Sequence, residues 1–205
     1  FVSAGGMYMM LGGNKTIELK TVNLPRLAVR VSQIFQNNLV FFLDGGRFYD
    51  YSYYDYGDEG EGGRSWARKY RYHVGNYGRQ LSYDTLAIVS PANREVVTEL
   101  SLAPYLNTGY KGFYLVEIAD PEEAWRSTAK LISISDIGLI VKAARDEVTV
   151  FATNLLTTAP MADVTVTLVS TSNQVIVTGK TDGSGAARFS GLADRMTEFP
   201  LKLVT

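Results

Sequence analysis

The sequence predicts an all-β fold of two tandem antiparallel β-sandwiches, and three observations carry that prediction. Apolar and polar residues alternate with period two in segment after segment, the pattern of half-buried strands. Gly, Pro, Asn and Asp punctuate those segments at short intervals, as they do in sandwiches and barrels. Tyrosine, finally, is confined to one part of the chain: all 13 lie between Tyr8 and Tyr114, and the last 91 of the 205 residues hold none. The charges divide as well, with 12 basic and 14 acidic residues up to Trp125 and 8 and 7 after it. A chain of this length accommodates one large domain or two small ones, and the shift in composition favours two.

Taken in order, Lys15–Val22 puts Ile17 and Leu19 on one face, and Leu27–Ile34 puts Leu27, Val29 and Val31 together with Arg30 and Ser32 opposite. Asn37-Asn38 reads as a turn, and the apolar run Leu39–Leu43 after it reads as a strand. Leu81–Val89, Glu95–Leu102 and Gly112–Ile118 follow, with a breaker-rich loop from Pro104 to Gly109 between the last two. The polar stretch Asp120–Lys130 lacks alternation and marks the junction. Pro121-Glu-Glu-Ala-Trp125 within it could open one helical turn, with Pro at the first helical position and acids near the N-terminus. The domains are therefore expected at 1–124 and 125–205. The second series comprises Ile137–Ala143, Glu147–Thr153, Val164–Ser170, Gln174–Lys180, Ala186–Ser190 and Phe199–Val204. Its core is expected to be Leu139, Val141, Val148, Val150, Val164, Val166 and Leu168. Gly183 and Gly185 are expected to form a hairpin turn, with Asp182 bonding local backbone. Each half would hold about seven strands, the content of a small immunoglobulin-like sandwich.

Composition removes most chemistry. With no Cys, disulfide scaffolds, thiolate zinc sites, iron–sulfur clusters and thiol nucleophiles are excluded. A single His, His73, leaves no site built on two imidazoles. Its setting, Arg71-Tyr-His-Val74, is strand-like, and no G-x-S-x-G nucleophile elbow exists for it to serve. The glycine pairs Gly5-Gly6, Gly12-Gly13 and Gly62-Gly63 match neither the phosphate-loop nor the dinucleotide pattern. No pair of carboxylates stands out for sugar hydrolysis. A net charge of −1 gives no electrostatic case for nucleic acid or an anionic membrane. The chain is expected to be no enzyme, and no catalytic, cofactor or metal residue is assigned. No stretch approaches the 18 consecutive apolar residues of a membrane span. Phe1 at the start and the strand-like end at Thr205 suggest a piece of a longer polypeptide whose targeting signal has been removed.

The least ordinary segment is the loop 44–63, which carries six acids, one Arg and five tyrosines and precedes the basic positions Arg64, Arg68, Lys69, Arg71 and Arg79. Loops of this length are functional or disordered. Tyr with Gly and Ser suits a recognition surface. Asp55, Asp58, Glu59 and Glu61 are hard oxygen donors of the kind calcium takes, although their spacing departs from the EF-hand. A solvated insertion, with acids and following bases neutralising each other, fits the same residues, and the alternating Tyr49, Tyr51 and Tyr53 could extend a hairpin.

Three local patterns line up in order: Ile134-Ser-Asp-Ile-Gly-Leu-Ile-Val141, then Val148-Thr-Val-Phe-Ala-Thr-Asn-Leu-Leu-Thr-Thr-Ala-Pro160 leading into Val164–Leu168, then Gly179-Lys-Thr-Asp-Gly-Ser-Gly-Ala-Ala-Arg-Phe189. This succession resembles a macroglobulin-like domain of the bacterial alpha-2-macroglobulin family, in particular its large Bacteroides-type members. Thr21–Val31, Ile34–Leu39 and Gly112–Val116 are similar to the preceding macroglobulin-like domain. The Tyr-rich loop belongs to no pattern of the family. The resemblance implies a scaffold segment from the N-terminal part of a protein that traps and inhibits endopeptidases, in which a bait is cut and a ring of domains closes on the protease. It implies a periplasmic or cell-surface, lipid-anchored protein acting beside the cell-wall synthesis machinery. The expected partners are other domains of the same chain and, for the whole protein, the trapped protease. No nucleic acid, cofactor or direct membrane contact is expected. The thioester motif of many members, C-Gly-Glu-Gln, is missing here, so no thioester or bait residue is carried over. The rival reading is a tandem immunoglobulin-like adhesion or glycan-binding module that uses the Tyr-rich loop.

Overall fold

Ile17, Leu19 and Thr21 are buried on one side of strand β2 (Thr16–Val22), and the residues between them are exposed. The strand thus obeys the alternation in its sequence. A computed structural model describes residues 7–44, 74–106, 111–123, 126–193 and 201–204. In the first half, β3 (Arg26–Ile34) is buried along most of its length on both faces and lies inside a sheet. It pairs antiparallel with β4 (Gly78–Ala87) and with β6 (Gly112–Ala119). β7 (Ser127–Ile134) pairs antiparallel with β6, and β1 (Met7–Met9) closes that side by running parallel to β7. The order is β1-β7-β6-β3-β4. β2 pairs with β5 (Glu95–Ser101) as a separate two-stranded sheet. Ile17, Leu19 and Leu100 of this pair share one core with Leu27, Val29, Val116, Ile118, Ile132 and Ile134 of the larger sheet.

The second half is built from two three-stranded sheets. One has the order β12 (Ala186–Ser190), β9 (Glu147–Asn154), β8 (Ile137–Ala143); the other has the order β11 (Val175–Lys180), β10 (Thr165–Ser170), β13 (Leu201–Val204). All pairings are antiparallel. Val148, Val150, Val166, Leu168, Phe189 and Leu192 fill the core, with Leu139 packed against it. The all-β, two-sandwich prediction stands, with seven strands and six among the described residues.

Several expectations need correction. Leu39–Leu43 is not a strand: with Asp44 it forms helix α1 (Leu39–Asp44), entered through a 3-10 turn at Gln36–Asn38. Leu39, Val40 and Phe42 are buried while Phe41 and Leu43 are exposed, whereas a strand would put 39, 41 and 43 on one face. The helix covers the second face of the large sheet, where Leu39 and Phe42 cluster with Ile34, Leu115 and Val74. The expected boundary at 124/125 separates two strands that pair with each other, β6 and β7, so residues 127–134 complete the first sheet. Alternation was present there but disguised. Thr128, Lys130, Ile132 and Ile134 share the inward face by register, and the buried Lys130 interrupts the apolar series. Where a helical turn is expected from Pro121, Pro121 and Glu122 form a bend, with the backbone N–H groups of Glu122 and Glu123 donating to Asp120 Oδ1 at 2.9 and 3.3 Å, and the rest of the expected turn, 124–125, lies outside the described residues. Asp182–Gly185 is not a hairpin turn, because β11 and β12 lie in different sheets and the turn crosses between them. Val141, expected in the core, is 40% exposed at the sheet margin, and Val164 is half-buried. The loop 44–63 beyond Asp44, the basic positions up to Arg71 and His73 lie outside the described residues.

Candidate functional site

The first of these patterns, Ile134-Ser-Asp-Ile-Gly138, is the connection between the two sandwiches. β7 ends at Ile134 and β8 begins at Ile137, leaving two linking residues. Ser135 continues the β1–β7 ladder, its N–H donating to the Met9 carbonyl at 3.2 Å. Its Oγ accepts the Ile137 N–H at 3.0 Å, which fixes the start of β8. Asp136 reaches both ways. Its Oδ1 accepts the N–H of Leu11 in the first sandwich at 3.0 Å, and its carbonyl accepts the N–H of Leu155 in the second at 2.8 Å. Lys111 Nζ lies 3.9 Å from Oδ2, and the Asp136 side chain is only 20% exposed. Gly138 completes the pattern. A Cβ there would come within 2.6 Å of Leu155 Cδ2, so the small residue lets the Leu155 turn lie against β8.

The other two patterns meet inside the second sandwich. Asn154 ends β9 and folds the next turn by itself: its Oδ1 accepts the N–H groups of Leu156 at 2.9 Å and Thr157 at 3.0 Å, and its carbonyl accepts Thr158 N–H at 2.7 Å. This is the local side-chain bonding that makes Asn a turn former. Thr181 is buried and ties the segment before β10, donating from Oγ1 to the Met161 carbonyl at 2.6 Å and accepting the Val164 N–H at 3.0 Å. Asp182 Oδ1 accepts from the Ser184 hydroxyl, Ser184 N–H and Ala186 N–H. Those bonds, the Ser184 hydroxyl first, hold its carboxyl below the usual value of 3.8. Gly185 adopts φ +77° and accepts the Ala152 N–H at 2.8 Å, locking the crossing turn onto β9. Gly183, paired with it in the sequence reading, keeps a negative φ with open space around it.

The side chains of Ser135, Asp136, Asn154, Thr181 and Asp182 are thus engaged with backbone or with a neighbouring turn, and what the arrangement does is hold loops and sandwiches in place. Among the described residues, no group of three or more His, Asp or Glu is placed to hold a metal ion. The calcium candidates Asp55, Asp58, Glu59 and Glu61 lie outside the described residues. Sequence reasoning missed the partners of the joint. Leu11 and Lys111 are ordinary loop residues, and nothing local marks either as a neighbour of Asp136. It missed a second bridge for the same reason: Asn173 Nδ2, in the β10–β11 turn, donates to the Asn37 carbonyl beside α1 at 2.7 Å.

Residues 134–203 match the model of the bacterial alpha-2-macroglobulin MG3 domain. No curated protein matches the chain in sequence. Among solved structures, the chain is similar to native alpha-2-macroglobulin from Escherichia coli spanning domains NIE-MG1, at a TM-score of 0.64 and 14% identity over 90% of this chain and 84% of that one. It is similar to trypsin-activated Escherichia coli alpha-2-macroglobulin, with a TM-score of 0.62 and 15% identity over 90% of this chain. A third likeness is to Salmonella alpha-2-macroglobulin reacted with methylamine, with a TM-score of 0.58 and 12% identity over 93% of this chain. The chain spans 12% and 10% of these last two. At such identities the likeness is one of fold, and it extends across both sandwiches.

Proposed function

We propose, from the match of residues 134–203 to the bacterial alpha-2-macroglobulin MG3 domain and the likeness of fold across both sandwiches, that the chain works as a non-catalytic scaffold segment of an alpha-2-macroglobulin-like protein that traps endopeptidases. The observation that carries the proposal is the coincidence of the family match with the motif residues that pin the joint and the crossing turn. Its immediate partners are other domains of the same polypeptide. In the whole protein they would include the captured protease and, beside it, the cell-wall synthesis machinery. The corresponding location is periplasmic or on the cell surface, with a lipid anchor elsewhere in the chain.

A trap leaves a bound protease able to cut small peptides while shielding it from large proteins. The test is to incubate the full-length protein with trypsin and follow a chromogenic peptide and a bulky protein substrate side by side. Selective loss of activity on the protein substrate is expected. Equal activity on both, combined with glycan binding that depends on loop 44–63, would replace this reading with the adhesion module.

A further inference from the structure

We propose that the joint between the sandwiches is a locked elbow, with Asp136 the positioning residue that makes the two move as one body. Neighbouring domains joined by a short linker are mobile by default unless their interface resists it. A hinge also needs residues free to absorb changes in φ and ψ. Neither linker residue here has that freedom. Ser135 is held by a backbone bond to Met9 and a side-chain bond to Ile137. Asp136 is bonded to the first sandwich by its side chain and to the second by its carbonyl, so rotation about it breaks one or the other. The Leu11 end of the clamp is itself braced, because Lys15 Nζ donates to the Leu11 carbonyl at 2.7 Å. Asn173 supplies a second strap. It sits at φ 62°, fixed by its N–H donating to Ser170 at 2.9 Å, and its side chain reaches Asn37. Two straps on different elements oppose both bending and twisting. The inference rests on the geometry of the joint and not on the trap reading, so a failed trap assay leaves it standing.

The lack of cysteine makes the test clean. Val97 on β5 and Val175 on β11, both exposed, are changed to Cys and spin-labelled in the 205-residue chain, and pulsed EPR reads the distance between them. A single narrow distribution is expected, broadened by Asp136→Ala. Asp136→Asn, which keeps an oxygen for the Leu11 N–H, is expected to stay narrow. A parent chain as broad as Asp136→Ala, an Asp136→Ala chain as narrow as the parent, or an Asp136→Asn chain as broad as Asp136→Ala overturns the proposal. Should Asp136→Ala lose its melting transition, Asn173→Ala at its exposed turn takes its place, and an unchanged width there overturns it equally.

Discussion

At Gly185 the chain turns with φ +77°, and a Cβ would stand 2.6 Å from the Ala152 carbonyl oxygen. Left-handed backbone and a collision with backbone act together, so Gly185→Val should lower the unfolding free energy by at least about 2 kcal/mol. Gly183→Ala, with open space and negative φ, should change it by less than about 0.5 kcal/mol. Denaturant titration of the two variants checks the contrast. The same turn predicts a pH dependence. The carboxyl of Asp182 has a lower pKa folded than its ordinary 3.8, so its stabilising contribution is complete above that value and is lost as pH falls through the folded value. The melting temperature of Asp182→Asn should therefore lie below that of the parent at neutral pH and converge on it in acid. This turn was legible in sequence because Asp and Gly advertise their own geometry. That it crosses between sheets was not, since nothing in a turn names the partner of the strand that follows.

Helix α1 offers a direct test at the level of the element. Phe42 is buried and meets Tyr77 edge-on with ring centroids 5.8 Å apart, whereas its neighbour Phe41 is 44% exposed. Phe42→Ala should cost about 3 kcal/mol and Phe41→Ala almost nothing, a difference that thermal unfolding resolves. A strand through Leu39–Leu43 would bury Phe41 with Leu39 and Leu43 and reverse that order. Five consecutive apolar residues carry no periodicity, so sequence could not separate the two. What decides is tertiary: the face of the sheet bearing Ile34 and Leu115 needs a cover, and a short helix supplies it. The β7 error has the opposite cause. There the period existed, and one buried lysine concealed it. Strands with clear alternation, such as β2, β3, β9 and β10, begin and end within one residue of the bounds their sequence predicts.

Over the whole molecule, the pairing of β7 with β6 and β1 moves the point at which the chain can be divided. A fragment 1–124 lacks Ile132 and Ile134, each worth roughly 1.5–3 kcal/mol of burial, against a total stability of about 5–15 kcal/mol for a domain. It should show no cooperative melting by circular dichroism, whereas 1–135 should melt in one transition. The sandwich count was readable from composition, but the boundary was not, because tyrosine content changes before the sheet is finished. One further consequence lies in the direction of β1. It runs parallel to β7, matching Met7 with Ile132 and Met9 with Ile134. Tension applied between the start of β1 and the end of β7 pulls these strands along each other in opposite senses. Their hydrogen bonds are then loaded side by side and share the force, where an antiparallel pair pulled from one end would open rung by rung. The seam next to the elbow is therefore oriented to resist stretching of the chain.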